Sequence, residues 1–525
     1  MSNGDFTVDR LLRRNAAAHP DKLAVIDPAS RVTHAELERT THALAASLAG
    51  AGVGKGTRVG LIMPNSAQWV RIALALTRIG AVLVPLSTLL APRELVAQLR
   101  TAAVQTLITV EEFRGHRYLD DLCAELAVPR LDEPLHHRDL PALRRIRTPE
   151  RLTAGGAVTE EFVDALADAV TPSDTLAVMF TSGSSGPPKG VVHSHGNALG
   201  AVAAGLHARC IDADTRLYLP MPFFWVGGFG SGVLSALVAG ATLVTELIPQ
   251  PESTLRLLEA ERVTLFRGWP DQAEALARQR HSVGADLSAL RPGSLEALLP
   301  PDQRSRPGAR AKLFGMTEAF GPYCGYRADT DMPETAWGSC GLPFAGMDLR
   351  IVDPDSGDPV EIGEIGEIQI RGPHVMRGIC GRSREEVFTA DGFYPTGDLG
   401  RLDDDGFMFY HGRSDDMFKV SGATVYPSEV EAALRTLDGV AAAYVTDVPA
   451  AGADRVGAAV VCDRPTTVDA LRADAGKVLS AFKVPTVWLL LEDDDAVPRK
   501  ATGKVDVRAL RDLLAGAITA PRRGS

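Results

Sequence analysis

Phe180-Thr181-Ser182-Gly183-Ser184-Ser185-Gly186-Pro187-Pro188-Lys189-Gly190 lies between the apolar run Leu176 to Phe180 and the apolar pair Val191-Val192. The hydroxyls of Thr181, Ser182, Ser184 and Ser185, glycines at 183, 186 and 190 that let backbone N–H groups turn inward, and the charge of Lys189 together make a nest for an anion such as phosphate. A Walker loop is excluded, because Lys189 is followed by Gly190 and Val191 rather than by Ser or Thr. A flexible Gly/Ser linker is the plainer alternative, but linkers seldom sit between two apolar runs with a lysine at their end.

Towards the N-terminus the chain alternates helical and extended patterns. Val8 to Ala18 reads as a helix, Leu23 to Ile26 as a strand, and Thr33 to Ala51 as a helix opening with Thr33 and Glu36 in capping-box spacing. Strands at Arg58 to Met63 and Ala81 to Pro85 then alternate with helices at Ser66 to Ile79 and Ala91 to Thr101. Such alternation predicts an α/β fold with a mostly parallel sheet covered by helices. Glu111 to Val170, rich in Arg, Asp and Pro, reads as irregular surface, with His136-His137 in a solvated loop.

With 525 residues the chain exceeds one hydrophobic core and divides into domains. A net charge of -11 argues against nucleic acid or an anionic membrane as the main partner, so any polyanion is gripped locally. Six cysteines show no Cys-x-x-Cys pair, which points to reduced thiols rather than zinc or disulfides. No run reaches the roughly 18 apolar residues of a membrane span, and Met1 to Arg10 lacks the pattern of a signal peptide; a cytoplasmic protein is expected.

Beyond the anion loop, His193-Ser194-His195 reads as polar residues leading into a helix near Asn197, since no third metal ligand is implied. Leu219 to Gly232 joins the adjacent aromatics Phe223, Phe224 and Trp225 to four glycines, and Phe223 reads as core. Phe314-Gly315-Met316-Thr317-Glu318, Tyr394-Pro395-Thr396-Gly397-Asp398 and Gly412-Arg413-Ser414-Asp415 follow. Taken singly, Thr317-Glu318 is a helix start and Asp398 a turn residue. After Asp415 the pattern changes to a small α+β domain of about a hundred residues. Its last loop, Pro498 to Asp506, includes Lys504.

The loop 180–190 closely resembles the phosphate-binding signature of the adenylate-forming superfamily, which includes acyl-CoA synthetases, and three later stretches, 314–318, 394–398 with 412–415, and the 498–506 loop with its Pro-Arg-x-x-x-Gly-Lys pattern, resemble that family's other motifs in their order. The resemblance covers nearly the whole chain. It implies a large N-terminal domain, 1–414, with parallel and mixed sheets flanked by helices, and a small mobile α+β domain, 415–525, hinged at Asp415. It further implies that Thr181, Ser182, Gly183, Ser184, Ser185, Gly186 and Lys189 bind ATP phosphates, that Phe314 stacks on adenine, and that Asp398 and Arg413 receive the ribose. Thr317 would touch the α-phosphate, Glu318 would hold Mg²⁺, and Lys504 would be the catalytic lysine. Phe224, Trp225, Gly228 and Phe229 would wall the acid pocket, while Lys419 and Gly422 would face the coenzyme A channel.

Two departures from the family pattern stand out. Trp225 occupies a position where the family often has His, and the usual Gly-Gly-Ala/Ser-Pro turn with its long helix is replaced by Leu290 to Leu295 and a brief Pro- and Arg-rich link to Lys312. Phe224 also offers no carboxylate for a substrate ammonium, which disfavours an α-amino acid. The implied activity is that of an acyl-CoA ligase using ATP, Mg²⁺ and coenzyme A on a small-molecule carboxylic acid. Transfer to a separate carrier protein or an amine, activation of an unusual acid such as nitrite, and a nucleotide-binding regulator without catalysis are the alternatives.

Overall fold

The computed structural model describes residues 6–131, 134–152, 158–181, 189–414, 418–420, 423–449, 455–479, 483–499 and 505–519. Two compact units result: residues up to 349 with 370–394, and residues 350–369 with those from 395 onward.

In the first unit a seven-stranded sheet has the spatial order Gly378–Ile379, Lys189–Ser194, Thr175–Thr181, Val82–Pro85, Arg58–Ile62, Thr106–Thr109 and Arg145–Arg147. The last five strands run parallel, and Lys189–Ser194 and Gly378–Ile379 are each antiparallel to the strand before them in the chain of pairings. Helices cover the sheet, so its inner strands are apolar runs such as the fully buried Val82–Pro85. Helix His34–Gly50 opens on the expected capping box: Glu36 N–H donates to Thr33 Oγ1 at 3.1 Å, and the Glu36 carboxylate accepts from Thr33 N–H at 2.9 Å. Each cap of this kind is worth about 1 kcal/mol.

A second sheet places Leu265–Phe266, Arg216–Tyr218, Thr242–Val244 and Leu23–Asp27 parallel, with Ser30–Thr33 antiparallel at the edge. Helix Ala67–Arg78 brings Trp69 into the core against Phe223 and Phe229, at ring-centroid distances of 5.2 and 5.6 Å. Phe223 is core, as expected. The shortened link is visible too: between helix Pro270–Val283 and strand Phe314–Met316 the regular elements are two single 3-10 turns, Glu296–Leu298 and Pro301–Gln303.

The stretch 111–170 is more regular than its composition suggests. It holds helices Tyr118–Glu125 and Glu160–Asp168, each buried through only two side chains, Tyr118 with Leu122 and Val163 with Ala167. So thin an apolar stripe is lost among the surrounding Asp, Glu and Arg, and the Thr159 cap on Phe162 N–H is the surviving local sign.

The second unit contains a four-stranded sheet, Asp348–Val352, Gly366–Arg371, Tyr394–Leu402 and Met408–Arg413 in that order. It also contains a three-stranded sheet in which Val440–Val448 pairs antiparallel with Arg455–Cys462, which pairs parallel with Val487–Leu491. Helices Pro427–Leu434, Val468–Val478 and Val507–Thr519 pack around that sheet, as the alternating pattern predicts. Among the described residues no helix is long and apolar enough to cross a membrane.

Candidate active site

Thr181 and Lys189 sit directly opposite each other at the open end of an antiparallel strand pair. The residues Ser182, Gly183, Ser184, Ser185 and Gly186 between them lie outside the described residues. The other edge of the Lys189 strand is closed by Gly378–Ile379, and Cys380 N–H donates to Gly190 O at 2.8 Å. A Cβ on Gly190 would stand 3.1 Å from Cys380 Sγ and from Val178, so a larger residue there would push against both sides of the loop's second strand.

The strand Thr175–Thr181 packs against the 3-10 turn Thr317–Ala319, which brings the loop's first strand and the Thr317-Glu318 pair together. That turn is tightly made. A Cβ on Gly315 would lie 2.2 Å from Gly321 O, and Phe320 adopts a left-handed φ of 54°. A phenylalanine pays for such a conformation with packing: its ring is buried, 4.8 Å from the His193 ring centroid and 6.1 Å from that of Phe229. Phe314 is half-buried with its ring edge-on to Tyr323 at 5.6 Å. Glu318 is buried, its carboxylate accepting from Tyr394 Oη at 3.2 Å and its carbonyl from Met376 N–H at 2.8 Å.

His193 and His195, expected as polar lead-in residues, are both fully buried. His193 is the last strand residue but one, just before the N-cap Ser194, and His195 is the first residue of helix His195–Leu206. Desolvation pushes the His193 imidazole down to about 3, although Thr317 backbone and Asn197 favour its proton, and pushes His195 down to about 4. Both rings are therefore neutral at physiological pH.

Of the residues assigned to the acid pocket, Phe224, Gly228 and Phe229 are buried and Trp225 is half-buried. Phe229 is fully buried against Trp69 and Phe320, and a Cβ on Gly228 would meet Pro222 O at 2.1 Å. Phe224 and Trp225 stand edge to face at 5.6 Å, and Trp225 continues at 5.8 Å to Trp269, which the sequence did not single out. Asn65 holds this stretch from a distance: its Nδ2 donates to Met221 O at 2.9 Å and its Oδ1 accepts from Phe223 N–H at 2.8 Å. Beyond Trp225 the chain is helical and includes one wide turn, Phe229–Leu234, whose Gly230 carbonyl accepts from Ser235 Oγ at 2.7 Å. Wide turns of this type recur at functional sites.

In the second unit Asp398 and Arg413 face each other across the strand pair Tyr394–Leu402 and Met408–Arg413. Arg413 donates from one terminal nitrogen to Asp398 Oδ1 at 3.3 Å and to Thr396 O at 2.9 Å. Gly397 supports this corner with φ of 70°, and its N–H donates to Glu367 at 3.0 Å. Lys419 pairs with Thr424 in the strand pair Phe418–Val420 and Ala423–Val425. Asp415, Gly422 and Lys504 lie outside the described residues.

The family model described as AMP-binding enzyme matches residues 12–380. A 7a-methyl-1,5-dioxo-octahydroindenyl-propanoyl:CoA ligase of Mycobacterium tuberculosis is 33% identical, covering 98% of this chain and 100% of its own. A feruloyl-CoA synthase of an Amycolatopsis species is 33% identical over 94% of this chain and 96% of its own. Among solved structures, an anthranilate CoA ligase in complex with anthranoyl-AMP shares the fold with a TM-score of 0.76, at 24% identity and 98% coverage of both chains.

Proposed function

The chain belongs to the AMP-binding enzyme family, and we propose that within it the protein is an AMP-forming acyl-CoA ligase whose chemistry centres on the Thr317-Glu318 turn and Lys504. It activates a carboxylic acid with ATP as an acyl adenylate, releasing pyrophosphate, and transfers the acyl group to the thiol of coenzyme A. The observation that carries this reading is the full-length likeness to CoA ligases, on a chain that brings the Thr181 strand and the Thr317-Glu318 turn into contact.

The residues divide the work as follows. Thr181, Lys189 and the nest between them hold the β- and γ-phosphates; Phe314 lies against adenine, and Asp398 accepts hydrogen bonds from both ribose hydroxyls with Arg413 beside it. The acid's carboxylate attacks the α-phosphorus in line, which brings two anions together. Thr317 Oγ1 and the Lys504 ammonium bind the α-phosphate oxygens as charge develops there, and preorganised donors of this type usually make the largest catalytic contribution. The residues fit Mg²⁺: the buried carboxylate of Glu318 matches an ion that takes its remaining ligands from phosphates and water. Held by Glu318, Mg²⁺ would neutralise charge between the phosphates.

Phe224 and Trp225, with Gly228 and Phe229 behind them, form the acid's apolar wall in this reading. The segment 415–525 swings about Asp415 between the two half-reactions, and Lys419 and Gly422 then face the pantetheine arm. A cytoplasmic location belongs to the proposal, supported by six free cysteines.

The test is ATP–pyrophosphate exchange over fatty, aromatic, steroid-like and inorganic acids, repeated as AMP release with and without coenzyme A. Exchange with one acid class and AMP release accelerated by coenzyme A are expected. Exchange that coenzyme A does not convert to thioester points instead to a carrier protein or an amine as acceptor; no exchange with any acid overturns the ligase reading.

A further inference from the structure

His193 carries a polar edge whose use the mechanism above leaves unassigned. Its orientation follows from its neighbour Asn197. The Asn197 Oδ1 accepts from Ser194 N–H at 2.6 Å and from Ser194 Oγ at 3.2 Å, which fixes that oxygen on the helix-cap side. The Nδ2 group therefore faces the other way, 2.8 Å from His193 Nδ1 and 3.2 Å from His374 O. An amide N–H can only donate, so Nδ1 of the neutral ring accepts and the ring proton resides on Nε2.

That N–H is fully buried, without a well-formed hydrogen bond, on a ring whose protonated form is favoured by the Thr317 backbone. A buried donor left unmade is destabilising, which calls for a partner in the working state. The turn it faces is also held by Met376 N–H on Glu318 O, and Phe320 at its end packs on the His193 ring. The ring thus packs on Phe320 at one end of the turn that presents Thr317 and Glu318, while the Thr317 backbone at the other end favours its protonated form. The strand Lys189–Ser194 that carries His193 begins at the phosphate-loop lysine.

Resting on the ligase reading above, we propose that His193, oriented by Asn197, is a positioning residue: its Nε2–H closes on the Thr317 carbonyl when nucleotide fills the site, fixing the Thr317-Glu318 turn for adenylation. A flexible turn would still admit ATP, so the effect falls on turnover rather than on nucleotide affinity.

The experiment compares the parent with His193→Leu and His193→Gln in ATP–pyrophosphate exchange. Leucine removes both polar atoms at similar volume, whereas glutamine keeps an amide donor. The expected result for His193→Leu is a fall in kcat of about tenfold or more with KM for ATP within about twofold, largely restored in His193→Gln. His193→Leu within about twofold of the parent in kcat, or His193→Gln as impaired as His193→Leu, overturns the proposal. Should the variants not fold, the ring nitrogens of the ¹⁵N-histidine-labelled parent decide it: an Nε2-bound proton is expected, and an Nδ1-bound proton overturns it. An inactive parent overturns the ligase reading, while the nitrogen spectrum still decides the claim about His193.

Discussion

Tyr394 Oη donates to the carboxylate of Glu318 at 3.2 Å across 76 positions of sequence, and both residues are buried. In the proposed reading the carboxylate's remaining lone pairs take the cation. Glu318→Gln should lower the adenylation kcat by about 10²–10³, as expected for loss of one preorganised electrostatic group. Tyr394→Phe removes a hydrogen bond to a charged group, worth about 1.5–3 kcal/mol. Its signature is a higher Mg²⁺ concentration at half-maximal exchange, read by titrating Mg²⁺ at saturating ATP. An unchanged Mg²⁺ dependence in both variants counts against Glu318 as the metal-facing carboxylate.

Asp398 and Arg413 form a paired corner, so the two substitutions should not be equivalent. Asp398→Ala removes the proposed ribose acceptor and leaves Arg413 bonded to Thr396 O. The expected outcome is an increase in KM for ATP of about 10-fold or more, with a smaller change for 2′-deoxy-ATP because that nucleotide already lacks one of the hydroxyls. Equal losses with ATP and 2′-deoxy-ATP would remove Asp398 from the ribose.

Lys504→Ala should slow adenylate formation by about 2.7–4 kcal/mol of barrier, by analogy with the loss of one oxyanion donor. Single-turnover formation of the acyl adenylate measures this step apart from thioester formation. A variant that makes adenylate at the parent rate would remove Lys504 from the first half-reaction.

Three buried histidines contribute to the acid sensitivity of the fold. Burial lowers His34 to about 4, His193 to about 3 and His195 to about 4, each from 6.5. Below 6.5 the unfolded chain binds protons that these rings refuse, so stability is full at higher pH and is lost as pH falls towards the folded values. Each ring adds a slope of up to about 1.4 kcal/mol per pH unit in that window. Melting curves should therefore shift downward between roughly pH 6.5 and 4, and His195→Gln should shift less. An identical shift in that variant would mean the ring gains a proton without cost.

Much of the molecule was readable before any coordinates. Runs such as Leu176 to Phe180 and caps such as Thr33 with Glu36 are local, and local chemistry survives in the order of residues. The four matched stretches carried the family for the same reason. Tyr394 with Glu318 and Asn65 with Met221 and Phe223 were not readable as pairs, because a hydrogen bond closed across the fold has no characteristic spacing. The burial of His193 was missed for a different reason: histidine counts as polar, yet the two-residue period of its strand puts it with Val191 on a buried face. That period was the available signal. Trp269 escaped because an aromatic before Pro270 at a helix start looks like an ordinary loop residue.

The grip of Asn65 on the aromatic stretch engages only main-chain atoms, Met221 O and Phe223 N–H. Any amino acid offers the same carbonyl, and any except proline the same N–H, so side chains along this stretch can be exchanged without loosening the anchor. The protein thus separates the holding of this aromatic stretch from the identity of its side chains. If this stretch walls the acid pocket as proposed, a lineage, or an engineer, can rewrite substrate preference here one side chain at a time while the frame that positions each new residue stays intact.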